Sequence, residues 1–114
     1  MHELSIAVSI VESATAAAER AGARSVTVVR VRIGELAGVH PESLQFHFSE
    51  AVRNTLLENA RLVIEPVPVA LNCPACGLET ELGEPLRFVC SSCGEPTGNV
   101  IRGRELEVDS IEVT

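Results

Sequence analysis

The sequence contains no lysine, tryptophan or tyrosine, and only three of its 114 residues are phenylalanine. Without large aromatic side chains, the core must be built from valine, leucine, isoleucine and alanine. All nine basic residues are arginine, and 16 acidic residues outnumber them, which gives a formal charge of −7. Proteins that bind along nucleic-acid phosphates need the opposite balance of charge, so we expect no DNA or RNA partner.

Long apolar runs are missing as well. No stretch of apolar residues is long enough to cross a membrane as a helix. The first 20 residues carry Glu3, Glu12 and Glu19 and no basic residue before Arg20, which is the reverse of a secretory signal. We therefore expect a cytoplasmic protein with no membrane partner. A chain of this length can form one compact domain with a small appendage.

Hydrophobic periodicity predicts two helices. Apolar side chains recur at helical spacing over residues 3–21, and Gly22 is placed to end that helix in a left-handed conformation. A second helix is predicted to begin at Pro41, a residue favoured at the first helical position, and to end near Asn59. Both apolar stripes are typical of faces that pack on a core.

Alternation of apolar and polar residues predicts three strands, over residues 25–33, 61–65 and 104–113. Pro66 and Pro68 cannot donate hydrogen bonds to a neighbouring strand, so the second strand should leave the sheet there or lie at its edge. In the third strand the alternation changes parity at Ser110, which predicts a β-bulge.

Residues 72–100 differ in composition, because they hold all four cysteines together with four glycines and three prolines. A segment with so few apolar residues cannot bury enough surface to fold unaided, so it should need a metal ion. The predicted fold is α+β, with two helices on a small three-stranded sheet and an inserted four-cysteine, zinc-ribbon-like domain. The corresponding division assigns residues 1–71 and 101–114 to the α+β domain and residues 72–100 to the zinc-binding domain.

The cysteines form two C-x-x-C pairs, Cys73 with Cys76 and Cys90 with Cys93, and a glycine follows each pair. Two such turns can direct four thiolates at one ion, which is the usual structural zinc site. A redox-active or regulatory disulfide and an iron–sulfur cluster are the alternatives. A redox-active pair is expected at the start of a helix that follows a strand, whereas glycine and proline surround these cysteines. The pattern therefore favours structural zinc.

The N-terminal residues Met1, His2 and Glu3 place an amine, backbone amides, an imidazole and a carboxylate at the start of a predicted helix. A terminal amine and an imidazole at position two can chelate one ion together with the intervening amide nitrogen, a set that suits Ni(II) or Cu(II). The residues alone also fit a role without metal, in which the terminal histidine is a solvated side chain and Glu3 complements the helix dipole.

The remaining histidines carry no argument for catalysis. His40 stands just before the second helix and is better explained by a role at the helix start or by plain exposure. His47 lies on the apolar stripe of that helix and should be packed and hydrogen-bonded. We find no nucleophile–base set, phosphate-binding loop or pair of carboxylates in distinct environments, so the sequence predicts no enzyme.

Four segments together are similar to the HypA/HybF family of hydrogenase maturation proteins. They are MHELS at the start, RIGELAGV at the end of the first strand, the two C-x-x-C pairs, and GRELEVDSIEV at the end. The likeness covers essentially the whole chain. It implies a nickel metallochaperone that helps to insert nickel into [NiFe]-hydrogenase, acting on the large subunit together with the GTPase HypB.

Carried over residue by residue, the resemblance implies that His2 is the essential nickel ligand, assisted by the Met1 amine, backbone nitrogens and Glu3. It also implies that zinc is bound by Cys73, Cys76, Cys90 and Cys93. The second cysteine pair has Ser91 where the family often has proline. An alternative interpretation remains, in which the chain is a zinc-ribbon interaction module that does not deliver nickel.

Overall fold

The computed structural model describes residues 2–114. Its helices are α1 (His2–Arg20) and α2 (Pro41–Ala51), and its strands are β1 (Val26–Gly34), β2 (Arg61–Val67), β3 (Ala70–Asn72), β4 (Glu79–Glu81), β5 (Val100–Arg102) and β6 (Leu106–Val113). A short 3-10 turn, Glu35–Ala37, follows β1. Gly22 has a φ of 67°, so the predicted left-handed end of the first helix is confirmed.

The first sheet has the order β2-β1-β6, with β2 parallel and β6 antiparallel to the central strand. Both helices contribute to one aliphatic core against this sheet. The fully buried members include Leu44 and Leu57 together with Val29 of β1. The prediction of two helices on a small three-stranded sheet is therefore confirmed, and the core is aliphatic apart from the buried side chain of Phe48.

Two details of this sheet follow from the sequence. Arg30 pairs with Ser110 and Val31 pairs with Val108, so Asp109 is an extra residue in β6 and forms the predicted bulge. The strand β2 lies at one edge of the sheet, where Pro66 is opposite Ile33 and needs no donor on its outer side.

The prediction that the second helix continues to near Asn59 is wrong, because α2 ends at Ala51. A series of turns replaces it, and Asn54 adopts a φ of 62° that a helix cannot contain. The Thr55 hydroxyl donates to the Val52 carbonyl at 2.6 Å and accepts the Leu57 N–H at 3.0 Å. These turns still bury Val52 and Leu57, so the apolar spacing continues where the helix does not.

The second sheet is small and has the order β4-β3-β5, with both pairings antiparallel. A separate apolar cluster of Val69, Leu71 and Leu82 lies beside it. The strands β3 and β5 each span a boundary of the predicted zinc-binding domain, and that division remains a prediction. Within residues 2–114, no helix is both long and apolar enough to cross a membrane.

The two sheets are joined by a close approach of backbones at Gly34 and Gly103. A Cβ atom on Gly34 would lie 2.0 Å from the Gly103 carbonyl oxygen, and Gly103 has a φ of 117°. The Gly103 carbonyl accepts the Leu36 N–H at 2.8 Å, and the Glu105 carboxylate accepts the Gly103 N–H at 2.7 Å. This junction fixes where the cysteine segment leaves the first sheet.

Candidate metal sites

The structure brings the four cysteines into one cluster, in which all four sulfur atoms lie within 4.8 Å of one another. The Sγ atoms of Cys73 and Cys93 are 3.6 Å apart, and those of Cys76 and Cys90 are 3.5 Å apart. Cys73 and Cys90 are buried, whereas Cys76 and Cys93 are exposed. The site therefore lies just below the surface, with one buried and one exposed sulfur from each pair.

Each cysteine pair is held by the same backbone turn, which we call a knuckle (residues 73–77 and 90–94). The Gly77 N–H donates to the Cys73 carbonyl at 2.7 Å, and the Gly94 N–H donates to the Cys90 carbonyl at 3.0 Å. Both glycines have φ near 75°, a conformation that side chains disfavour. The glycines after the cysteine pairs are thus explained by the turn itself.

Hydrogen bonds shift the pKa values of the cysteine thiols in different directions. The backbone N–H groups of Cys93 and Ser92 lower the pKa of Cys90 to about 6. The Leu78 amide favours the thiolate of Cys76, but the neighbouring Cys90 sulfur and partial desolvation raise the pKa of Cys76 to about 12. Negative charge on one sulfur thus opposes charge on the next, and a cation among the four sulfurs would relieve that repulsion.

Two of the sulfur–sulfur separations match those around a tetrahedral zinc ion. Zinc–sulfur bonds of about 2.3 Å in a tetrahedron require sulfur atoms about 3.8 Å apart. The Sγ separations of 3.5 and 3.6 Å agree with this value, and they are far longer than a disulfide bond of about 2.05 Å. Four thiolates are soft ligands that suit zinc. The cluster is therefore a metal-binding group whose donors match structural zinc.

The second candidate site is N-terminal, where His2 is the first residue of α1 and its side chain is 59% exposed. Met1 lies outside the described residues. Glu3 is buried, and its carboxylate accepts the His40 N–H at 3.2 Å while lying 3.7 Å from His2 Nε2. That N–H lowers the pKa of Glu3, so the side chain is charged at neutral pH. The structure thus places His2, Glu3 and His40 together.

The two other histidines differ in setting. His40 is exposed and immediately precedes α2, where its carbonyl accepts the Leu44 N–H at 3.0 Å. His47 is half-buried in α2, and its ring meets the Phe46 ring edge-on at 5.4 Å. Of these two histidines, only His40 contacts an N-terminal residue within the described part of the chain, through its bond to Glu3.

A groove of about 530 Å³ begins at His2 and runs between α1 and β6. The helix contributes Ser5, Ser9 and Ser13, and the strand contributes Leu106 and Glu107. His2 is consequently accessible from solvent along this groove as well as from the helix end.

Sequence reasoning missed two residues that border the cysteine cluster. Thr80 and Thr97 are buried polar residues, and the hydroxyl of Thr80 contacts the backbone of Ser91 in the second knuckle. The signal was present, because C-x-x-C-G-x-x-T occurs twice, at residues 73–80 and 90–97. The interpretation of the cysteine pairs stopped at the glycines and did not include the threonines.

A family profile described as "Hydrogenase/urease nickel incorporation, metallochaperone, hypA" matches residues 1–113. The chain belongs to the HypA family. Sequence relatives support this assignment: a hydrogenase maturation factor HypA from Chloroflexus aggregans is 50% identical and covers 98% of each chain. Another from Chlorobium phaeobacteroides is 42% identical and covers 99% of each chain. The resemblance stated from the sequence motifs is confirmed.

Solved HypA structures share the fold. The solution structure of the nickel metallochaperone HypA from Helicobacter pylori is 23% identical, with a TM-score of 0.71, covering 97% of this chain and 96% of that one. A second HypA solution structure is 24% identical, with a TM-score of 0.74, covering 100% of this chain and 97% of that one. This HypA family member therefore combines the family fold with a four-cysteine metal-binding group.

Proposed function

We propose that this chain carries Ni(II) at its N-terminus and yields it during the maturation of [NiFe]-hydrogenase. The ligands in this proposal are the Met1 amine, the backbone nitrogen and Nδ1 of His2, and the backbone nitrogen of Glu3. The first amides of a helix have no helical acceptor, so those of His2 and Glu3 can release their protons and bind a metal without breaking a helical hydrogen bond. A nitrogen-rich set of this kind suits Ni(II) better than hard cations.

The contact between Glu3 and His40 is the observation that carries this proposal. Because the Glu3 carboxylate is buried and accepts the His40 N–H, it holds the start of α1 against the loop before α2. In this arrangement Glu3 acts on nickel through its backbone nitrogen, and its side chain positions the site. The imidazole of His2 is exposed and approaches the Glu3 carboxylate through Nε2, which leaves Nδ1 as the ring nitrogen for nickel.

The four-cysteine group has a different role in the proposal, which is to hold structural zinc at Cys73, Cys76, Cys90 and Cys93. Bound zinc supplies folding free energy to a segment with a small apolar cluster. We propose the division predicted from composition, with residues 72–100 as the zinc-binding domain and residues 1–71 and 101–114 as the nickel-binding domain.

The proposed partners are a HypB-like GTPase and the hydrogenase large subunit, met in the cytoplasm. The family description names nickel incorporation into hydrogenase and urease, and the relatives are named hydrogenase maturation factors. The strong acidic balance supports protein and metal partners over nucleic acid. The chain is proposed to act by binding and transfer, with no catalytic reaction of its own.

A delivery assay tests this function. The zinc-loaded chain is charged with radioactive nickel and mixed with a HypB-like GTPase and a nickel-free hydrogenase large subunit, and nickel in the large subunit is counted. We expect wild type and His47→Gln to deliver nickel and His2→Ala to fail. Equal delivery by His2→Ala would overturn the terminal carrier site and favour an interaction module that does not hold the nickel.

A further inference from the structure

The cysteine segment contains a repeat that extends beyond the cysteines. The pattern C-x-x-C-G-x-x-T occurs at residues 73–80 and again at residues 90–97. Each repeat therefore ends in a threonine, Thr80 or Thr97. Apart from Glu3, these threonines are the buried polar residues of the described chain, and each is only 8% exposed. Burial of a hydroxyl is costly unless it is hydrogen-bonded, so the partners of both threonines are informative.

Thr80, from the first repeat, bonds to the second knuckle. Its Oγ1 accepts the backbone N–H of Ser91 at 3.1 Å and lies 3.1 Å from the Ser91 hydroxyl. Ser91 directly follows the buried ligand Cys90, so this contact fixes the backbone beside that sulfur.

Thr97, from the second repeat, bonds back to the start of the first knuckle. Its hydroxyl donates to the Asn72 carbonyl at 3.1 Å and accepts the Asn99 N–H at 3.2 Å. Asn72 directly precedes the buried ligand Cys73. The two threonines thus form reciprocal contacts, each reaching from one repeat to the residue beside a buried cysteine of the other.

We propose that Thr80 and Thr97 are positioning residues of the four-cysteine site, which hold the two knuckles at the separation that one metal ion requires. This inference rests on the proposed zinc site. Groups that orient metal ligands from outside typically change metal affinity tenfold to hundredfold when removed. No backbone hydrogen bond joins residues 73–77 to residues 90–94, and the Asn72 N–H donates to the Asn99 carbonyl at 3.0 Å just outside them. The threonine hydroxyls add side-chain restraints between the two knuckles at this point.

The difference between the two knuckles supports this role. The first knuckle has Pro74 where the second has Ser91. Proline fixes its own φ and has no N–H to satisfy, whereas the Ser91 N–H is bonded to Thr80. The contact with Thr80 therefore supplies to the second knuckle the restraint that proline supplies to the first.

The test measures zinc affinity of the full chain by competition with a chromophoric chelator. We expect Thr80→Val and Thr97→Val each to weaken zinc binding about tenfold, because each leaves a backbone group without its partner. Thr80→Ser keeps the hydroxyl and should bind as wild type does. Ser92→Ala is the matched control in the same knuckle, because the contact of Ser92 with Cys90 Sγ comes from its backbone N–H.

A rescue experiment separates positioning from general stability. In the Thr80→Val background, Ser91→Pro removes the unsatisfied N–H and restores a rigid turn, so it should recover zinc affinity and the visible spectrum of the Co(II)-substituted site. In the wild-type background the same change should give no gain. Rescue in the first background alone would support the proposal.

Two results would overturn the proposal: wild-type zinc affinity in both valine variants, or a Thr80→Val loss that Ser91→Pro does not recover. Failure of the zinc site itself gives a different result, because wild type would then bind no zinc in the same competition assay.

Discussion

The carboxylate of Glu3 accepts the backbone N–H of His40 at 3.2 Å, although the two residues are 37 positions apart in the chain. This bond joins the first turn of α1 to the residue before α2. It also gives the Glu3 side chain a structural partner within the site proposed for nickel. The contact leads to a test of which atom of Glu3 serves the metal.

Substitution of Glu3 distinguishes its side chain from its backbone. Glu3→Gln keeps an oxygen that can accept the His40 N–H, so nickel affinity should stay close to that of wild type. Glu3→Ala removes the acceptor and should lower both the thermal unfolding midpoint and nickel affinity. Isothermal titration and thermal unfolding measure the two effects. A Glu3→Gln variant that loses nickel as completely as His2→Ala would show that the carboxylate is itself a ligand.

The junction of the two sheets predicts a severe effect at Gly34. A Cβ atom there would lie 2.0 Å from a backbone oxygen, which cannot move without shifting the strand. We expect Gly34→Ala to destabilise the fold by about 3 kcal/mol or more in urea unfolding. Gly83→Ala is the control, because a Cβ atom at Gly83 meets nothing within 4 Å. Similar urea midpoints for the two variants would show that the backbones at Gly34 and Gly103 do not lie this close together.

Glu105 predicts a pH-dependent contribution to stability. The Gly103 N–H, with smaller effects from Arg32 and Arg102, lowers the pKa of Glu105 below its usual value of 4.5. A carboxylate whose pKa falls on folding stabilises the native state above its unfolded pKa, and this stabilisation is lost as pH falls through the folded pKa. Glu105→Gln should therefore be less stable than wild type at pH 7, and the difference should shrink in acid. The measurement is urea unfolding of both proteins at matched pH, and a difference that grows in acid would contradict the prediction.

Loss of one cysteine tests the proposed division of the chain. We expect Cys73→Ser to lose zinc and to disorder residues 72–100, while α1, α2 and the first sheet survive on their own aliphatic core. Amide NMR spectra report both regions, and metal analysis reports zinc. Loss of the helical circular dichroism signal in this variant would show that the two regions fold as one unit.

Features with a local cause could be predicted from the sequence. The parity change at Ser110 located the bulge because side-chain direction alternates strictly along a strand. Prolines located the edge strand because they lack a donor. The end of α2 could not be predicted in this way, because the turns after Ala51 continue to bury residues at helix-like spacing.

The same distinction, between local patterns and contacts of distant segments, applies to the candidate sites. The spacing of the four cysteines is a local pattern, and it identified the metal-binding group. The contacts of Glu3 with His40 and of Thr80 with Ser91 depend on how distant segments pack, so no local pattern specifies them. The repeated threonine was visible in the sequence, but its partners were not.

The most direct test of the central proposal is nickel titration of the zinc-loaded chain, so that the cysteines are already engaged. Wild type and His47→Gln should take up nickel. His2→Ala should lose this uptake, and so should a chain extended before Met1, because the terminal amine then becomes an amide. Equal nickel uptake by wild type, His2→Ala and the extended chain would contradict the terminal nickel site.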